Sequence, residues 1–166
     1  MPKKMPLNSD KIFPKTDAIL AYMALRRTHD TIHRHVSKKL AQWNLSVPKY
    51  GVLVRLYDYE SLPLSELSNQ IFRANSNITT LINRMEREGL VRRCTHGKDR
   101  RITEIRLTRK GRNLTPKVIE AYKPFLHQLL TECLNPQEQK ALFSLCTRIQ
   151  KILKQKEDEP IGALRR

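Results

Sequence analysis

The sequence predicts a mainly α-helical fold with one short β-hairpin near its middle. Three observations carry this. Residues 75–89 repeat apolar side chains at helical spacing, with Ile78, Leu81, Ile82 and Met85 at i, i+3, i+4 and i+7. Residues 90–95 and 101–107 are short β-prone runs around His96-Gly97-Lys98-Asp99-Arg100, which has the glycine and aspartate of a hairpin tip. Long helical patterns flank this central stretch on both sides.

Taken in order, residues 1–14 hold Pro2, Pro6 and Pro14 with little periodicity and are expected to form an arm. Residues 16–42 predict a long helix with an apolar line at Leu25, Ile32, Val36 and Leu40. Ile19, Leu20, Tyr22 and Met23 make its first turns apolar nearly all round. A helix end of that kind is buried by something beyond its own domain, which points to a dimer. His29 and His33 stand at i, i+4, a spacing open to a metal. Without a nearby cysteine or paired carboxylate the reading is of ordinary polar residues, and no metal is expected.

Trp43 to Val47 reads as a turn. Ser46 caps the next helix and Pro48 falls in its first turn, where a missing amide costs nothing. That helix runs to about Tyr59, with Tyr50, Leu53, Val54 and Tyr57 at helical spacing. Leu62-Pro63 reads as the start of a linker, and Leu64–Ile71 as a short helix with Leu64, Leu67 and Ile71 inward. A brief turn then leads to the helix at 75–88, so the pair forms a helix-turn-helix. Asn75 or Ser76 caps this helix, and Gly89 sits where a positive φ is wanted.

Its outer face carries Ser76, Thr79, Thr80, Asn83, Arg84 and Arg87, with no carboxylate in the first two turns. Neutral hydrogen-bonders with arginine suit base edges and phosphates in a major groove. The hairpin and its flanks concentrate Arg92, Arg93, Lys98, Arg100, Arg101 and Arg106. Such a finger fits phosphates or a narrow minor groove, and Asp99 is suited to hold a neighbouring guanidinium in one orientation.

After the hairpin, Thr108 caps a helix with the stripe Leu114, Val118, Ala121, Tyr122, Phe125, Leu129 and Leu130. Pro124 in its interior is expected to remove one hydrogen bond and bend it. Asn135-Pro136 stops and restarts the chain, and a final helix runs to about Lys154. These two stripes exceed what a small domain can cover, so a second copy is the economical partner. The tail at 157–166 turns from acidic to basic.

At 166 residues and 39% hydrophobic, the chain suits one domain with helical extensions. Its net charge of +16 argues for a polyanionic partner. Residues 73–112 hold 12 basic and 4 acidic side chains, half of that excess. No amphipathic stretch combines a broad basic face with exposed aromatics, no apolar run is long enough to span a membrane, and no signal-like segment follows the start. A sparse, odd set of three cysteines suits a reducing, cytoplasmic setting. No phosphate loop, Cys-x-x-Cys or Gly-x-Ser-x-Gly occurs, so neither an enzyme nor a cofactor is expected.

Two stretches resemble a known family. Asp99-x-Arg101-x5-Leu107-Thr108-x2-Gly111 matches the wing signature of the MarR family of winged helix-turn-helix regulators. Asn77-Ile-Thr-x-Leu-Ile-x-Arg-x-Glu-x-x-Gly-Leu-Val-x-Arg93 is similar to that family's recognition helix and following strand. The resemblance implies a winged helix-turn-helix over 46–111 with a two-stranded β-wing at 92–106. N- and C-terminal dimerisation helices would lie at 15–45 and 112–156. It implies a cytoplasmic homodimer on palindromic double-stranded operator DNA, acting as a repressor relieved by a small aromatic or anionic ligand. The expected DNA-binding residues are Ser76, Asn77, Thr79, Thr80, Asn83, Arg84, Lys98, Asp99, Arg100 and Arg101. The family's effector crevice maps to Tyr22, Met23, Arg26, His33, Trp43, Tyr50 and Tyr57, although aromatic residues at these spacings also serve as plain core.

Two other readings compete. The charge alone would suit a sequence-tolerant nucleic-acid coating protein, which the tightly specified helix argues against. Cys94 follows two arginines, a setting that favours thiolate and a redox-responsive regulator. Against that, a buried cysteine is more often a small hydrophobe, and redox-sensing relatives carry theirs near the N-terminus.

Overall fold

A computed structural model describes residues 16–71, 78–96 and 99–158, with side chains omitted for 70–71, 95–102 and 157–158. The elements are α1 (Asp17–Ala41), α2 (Val47–Asp58), β1 (Leu62–Pro63), α3 (Leu64–Ile71), α4 (Ile78–Arg87), β2 (Val91–His96), β3 (Asp99–Leu107), α5 (Arg109–Thr131) and α6 (Pro136–Asp158). They fall into two compact units, residues 1–118 and 119–166, with α5 running unbroken from one into the other.

Local chemistry accounts for the boundaries. Thr16 caps α1, its hydroxyl accepting from Ile19 N–H at 3.4 Å. The helix ends where Asn44 takes φ 56°, a left-handed position that asparagine tolerates. Ser46 caps α2 by accepting from Lys49 N–H at 3.4 Å, with proline in the first turn. Asn135 caps α6: its Oδ1 accepts from Gln137 and Glu138 N–H at 3.0 Å each. Glu138 returns a carboxylate to Asn135 N–H at 2.8 Å, closing a reciprocal capping box.

In the first unit, α1, α2, α3, α4 and the start of α5 enclose a core with the sheet. Leu40, Leu53, Leu56, Leu67, Ile82, Met85 and Ile105 are fully buried there. The buried face of α2 is Lys49, Val52, Leu53 and Leu56, whereas Tyr57 is exposed and Tyr50 and Val54 are half-buried. The stripe expected through Tyr50, Val54 and Tyr57 is therefore rotated. Apolar residues fill so much of this short helix that periodicity alone does not select a face.

The sheet has three strands in the order β1-β3-β2, not the two expected. The third is Leu62–Pro63, read from sequence as linker. Leu62 pairs with Ile105 and Pro63 with Glu104, antiparallel. Two residues carry no periodicity to detect, and proline is tolerated here because β1 lies at an edge. The hairpin strands also reach further than expected: His96, Asp99 and Arg100 belong to strands, with an irregularity at Thr95/His96.

Helix α5 continues through Pro116 and Pro124 as one element, so the proline does not end it. Thr108 begins it and ties three segments together. Its hydroxyl donates to Gly89 O at 2.6 Å and accepts from Gly111 N–H at 3.1 Å, while its backbone N–H donates to Leu90 O at 3.1 Å. Gly111 lies so near this junction that a Cβ would sit 2.1 Å from Leu90 O. Gly89 ends the preceding turn with φ 70°. These contacts are the physical content of the Leu-Thr-x-x-Gly end of the signature.

The second unit holds the rest of α5 and α6, which extends to Asp158 rather than about Lys154. Leu142, Leu145, Ile149, Ile152 and Leu153 are exposed along α6, and Phe143 is 74% exposed.

Candidate nucleic-acid interface

Helix α4 is sharply two-faced. Ile78, Ile82 and Met85 are buried, whereas Thr79, Thr80, Arg84 and Arg87 are exposed and Asn83 is half-buried. At about 100° per residue, Thr80 and Arg87 lie outermost, with Asn83 and Arg84 on the two shoulders. Arg84 and Arg87 occupy the last turn, where cations complement the helix dipole.

The two carboxylates near the end of this helix are both engaged inward. Glu86 receives Arg93 from β2: the guanidinium Nη1 donates to Oε2, and Arg93 N–H donates to Oε1 at 3.1 Å. The same guanidinium donates through Nη2 to Asn83 Oδ1 at 2.6 Å. Glu88 receives Lys49, whose Nζ lies 2.6 Å from both carboxylate oxygens and 3.4 Å from Asn44 O. Lys49 is only 6% exposed, so this is an ion pair largely withdrawn from water. Both acids are thereby neutralised, and the outward row keeps hydroxyl, amide and guanidinium groups.

Neither network was visible in the sequence. Lys49 is a lone cation in the first turn of a largely apolar helix, and its partner is 39 positions away. Arg93 belongs by sequence to the basic hairpin, yet it braces α4. The motif spacing Glu86-x6-Arg93 was the available signal, since a helix, a Gly turn and an antiparallel strand bring those positions together.

The hairpin's basic residues are less fully placed. Asp99, Arg100 and Arg101 lie in β3, while Lys98, Ser76 and Asn77 are outside the described residues, as are the side-chain positions of 99–101. Arg92 is exposed and pairs with Arg106 across the ladder. Cys94 is half-buried, opposite Glu104.

Of the residues expected at an effector crevice, Trp43 borders a cavity of about 180 Å³ with Asn44, Glu88, Leu90, Lys110 and Leu114. Lys110 Nζ donates to Glu88 O at 2.8 Å, and Lys39 Nζ lies 5.8 Å from the centre of the Trp43 ring. Tyr22 is 65% exposed, Tyr57 and Arg26 are exposed, and Met23 and Tyr50 are half-buried. Arg26 lies 3.9 Å from Asp30. The His29 and His33 rings are 5.8 Å apart, and His33 Nδ1 lies 3.4 Å from the Ser37 hydroxyl. No cluster of three or more metal-ligating side chains occurs among the described residues. No helix among them is long and apolar enough to cross a membrane.

Comparison with known proteins agrees with this architecture. Residues 45–103 match the MarR family. The chain is 24% identical over 110 residues to the HTH-type transcriptional regulator MhqR of Bacillus subtilis (strain 168), covering 66% of this chain and 76% of that one. Its fold is similar to a MarR-like transcription regulator from Bacillus cereus ATCC 10987, with TM-score 0.74, 27% identity, and 82% and 98% of the two chains covered. It is also similar to AbsC, a MarR family regulator from Streptomyces coelicolor, with TM-score 0.75, 25% identity, and 84% and 96% covered. With the winged architecture, the wing signature and these relatives in agreement, residues 45–103 carry the MarR family pattern and the chain is similar in sequence and fold to MarR-like transcriptional regulators.

Proposed function

We propose that this protein binds palindromic duplex DNA as a homodimer, with α4 in the major groove and the β2–β3 hairpin against the adjoining backbone and minor groove. The observation that carries the reading is the charge arrangement of α4. Its exposed side chains are Thr79, Thr80, Arg84 and Arg87, and both nearby carboxylates are neutralised from within. A face that merely met water would have no reason to withdraw its acids. Within this reading Ser76, Asn77, Thr79, Thr80, Asn83 and Arg84 serve the groove. Arg101, oriented by Asp99, reaches the minor groove, and Lys98 and Arg100 meet phosphates.

Apolar side chains left in water, at Leu20, Tyr22 and Leu25 on α1 and along α6, support the dimer reading. A second copy would cover them and place two α4 helices for two half-sites. We assign the protein a repressor's role, relieved by a small aromatic or anionic effector at a crevice drawing on Tyr22, Met23, Arg26, His33, Trp43, Tyr50 and Tyr57.

Selection from a random duplex pool at about physiological salt tests the core of the proposal. Enrichment of an inverted repeat, with half-site centres about one helical turn apart, is expected. Retention of the pool without enrichment would favour the charge-driven coating protein instead. Arg84→Ala should relax sequence preference, and Lys98→Ala should weaken all duplexes alike and reduce the salt slope by about one. Unchanged operator affinity in Arg101→Ala would remove the wing from the interface. Titration of phenolic carboxylates into the operator complex tests the effector, with DNA release as the expected result.

A further inference from the structure

Asn83 is held by a residue that sequence reading placed on the wing. A guanidinium has donors and no acceptor, so the Asn83 carboxamide meets Arg93 through its oxygen, at 2.6 Å. Arg93 is itself fixed twice to Glu86, through Nη1 and through its backbone N–H at 3.1 Å. The oxygen is thus drawn toward strand β2, and the amino group is the end of the carboxamide that Arg93 does not hold. A carboxamide free of such a clamp can flip, offering either end outward or gripping adenine with both.

We propose that Arg93 is a positioning residue for sequence readout. It fixes the polarity of Asn83, so that Nδ2 donates to an acceptor on the major-groove edge: purine N7, guanine O6 or thymine O4. The oxygen still has a second lone pair. A two-point grip on adenine, however, needs oxygen and amino group together at one base edge, and Arg93 pulls the oxygen away from it. Cytosine, whose edge offers a donor there, is the base that this arrangement disfavours. The proposal rests on α4 being the helix in the groove, and it adds which chemical groups Asn83 reads and what aligns them.

The test uses the full-length protein and operator duplexes carrying each of the four base pairs at every half-site position. Asn83→Ala should flatten discrimination at one position by about 2- to 12-fold, the range of a single hydrogen bond. Arg93→Lys, which keeps the charge but loses the planar fork, should flatten the same position, with thermal midpoint and non-specific affinity nearly unchanged. The double variant should be no worse than Asn83→Ala at that position. Wild type should rank cytosine lowest there, and adenine lacking its 6-amino group should bind as well as adenine.

Loss of affinity on removing that amino group, abolished by Asn83→Ala, would show a two-point grip and overturn the proposal. So would a uniform loss across all sequences in Arg93→Lys, or additive effects of the two substitutions. If Asn83→Ala, Thr80→Ala and Arg84→Ala all leave the enriched sequence unchanged, α4 is not the reading helix, and the positioning role falls with that assignment.

Discussion

Removing Glu88 should cost more than removing its partner Lys49. The Lys49 side chain is 8% exposed and its Nζ lies 2.6 Å from both oxygens, whereas the Glu88 side chain is 29% exposed. At an effective dielectric of about 20, unit charges roughly 3 Å apart attract by about 5 kcal/mol before desolvation is charged against them. Breaking a fully buried pair costs about 3–5 kcal/mol. Partial exposure of Glu88 lowers this, so Glu88→Gln is expected to lose about 2–3 kcal/mol, because Lys49 remains inside with only a neutral acceptor and Asn44 O. Lys49→Met strands the carboxylate instead, but Glu88 can turn toward water, and about 1 kcal/mol is expected. At roughly 2–4 °C per kcal/mol, the midpoints should fall by about 4–12 °C and about 2–4 °C. Urea and thermal unfolding at one fixed protein concentration measure both, since dimerisation would otherwise move the midpoints. Lys49→Met/Glu88→Leu should recover most of the loss. A larger drop in Lys49→Met than in Glu88→Gln, or two drops below about 0.5 kcal/mol, would refute the reasoning.

The two glycines near the hairpin exit should respond differently. Gly111→Ala drives a Cβ to 2.1 Å from a backbone oxygen and should prevent folding of the first unit, read as loss of cooperative unfolding. Gly89→Ala meets nothing nearer than 4.0 Å and should cost only its left-handed strain, about 1–2 kcal/mol. Ile149→Asp, on the exposed apolar row of α6, should yield monomers by light scattering and weaken operator binding; an unchanged mass would remove α6 from the interface. Burial raises the Tyr122 phenol above its ordinary 10.0, so the folded state keeps a proton that the unfolded state releases. Stability should therefore fall as pH climbs above about 10, and Tyr122→Phe should fall less steeply over the same range.

Much of the fold was legible because its local signals agree. Ser46, Pro48, Thr108, Asn135 and Pro136 mark ends through interactions that span only a few residues, and α4 alternates cleanly between buried and polar sides. The misjudged parts depend on partners distant in sequence. β1 exists only because β3 is there to pair with it. The buried face of α2 includes Lys49 against a Glu88 that is 39 positions away, and several faces of this helix are apolar enough to go inside. In the site, residue types marked out the polar outer row of α4, but the bracing of Asn83 by Arg93 required a strand to fold back beside that helix.

The Thr108 junction sets where the chain tolerates a change of length. It registers the turn after α4, the exit of β3 and the first turn of α5 by hydrogen bonds from a single residue. One residue inserted between Leu107 and Gly111 would misalign all of these at once. The strand pairs toward the far end of the hairpin, Thr95 with Thr103 and His96 with Asp99, are made within the hairpin itself. Divergence among related proteins should therefore accumulate as hairpins of different reach, contacting different spans of DNA from an unchanged root.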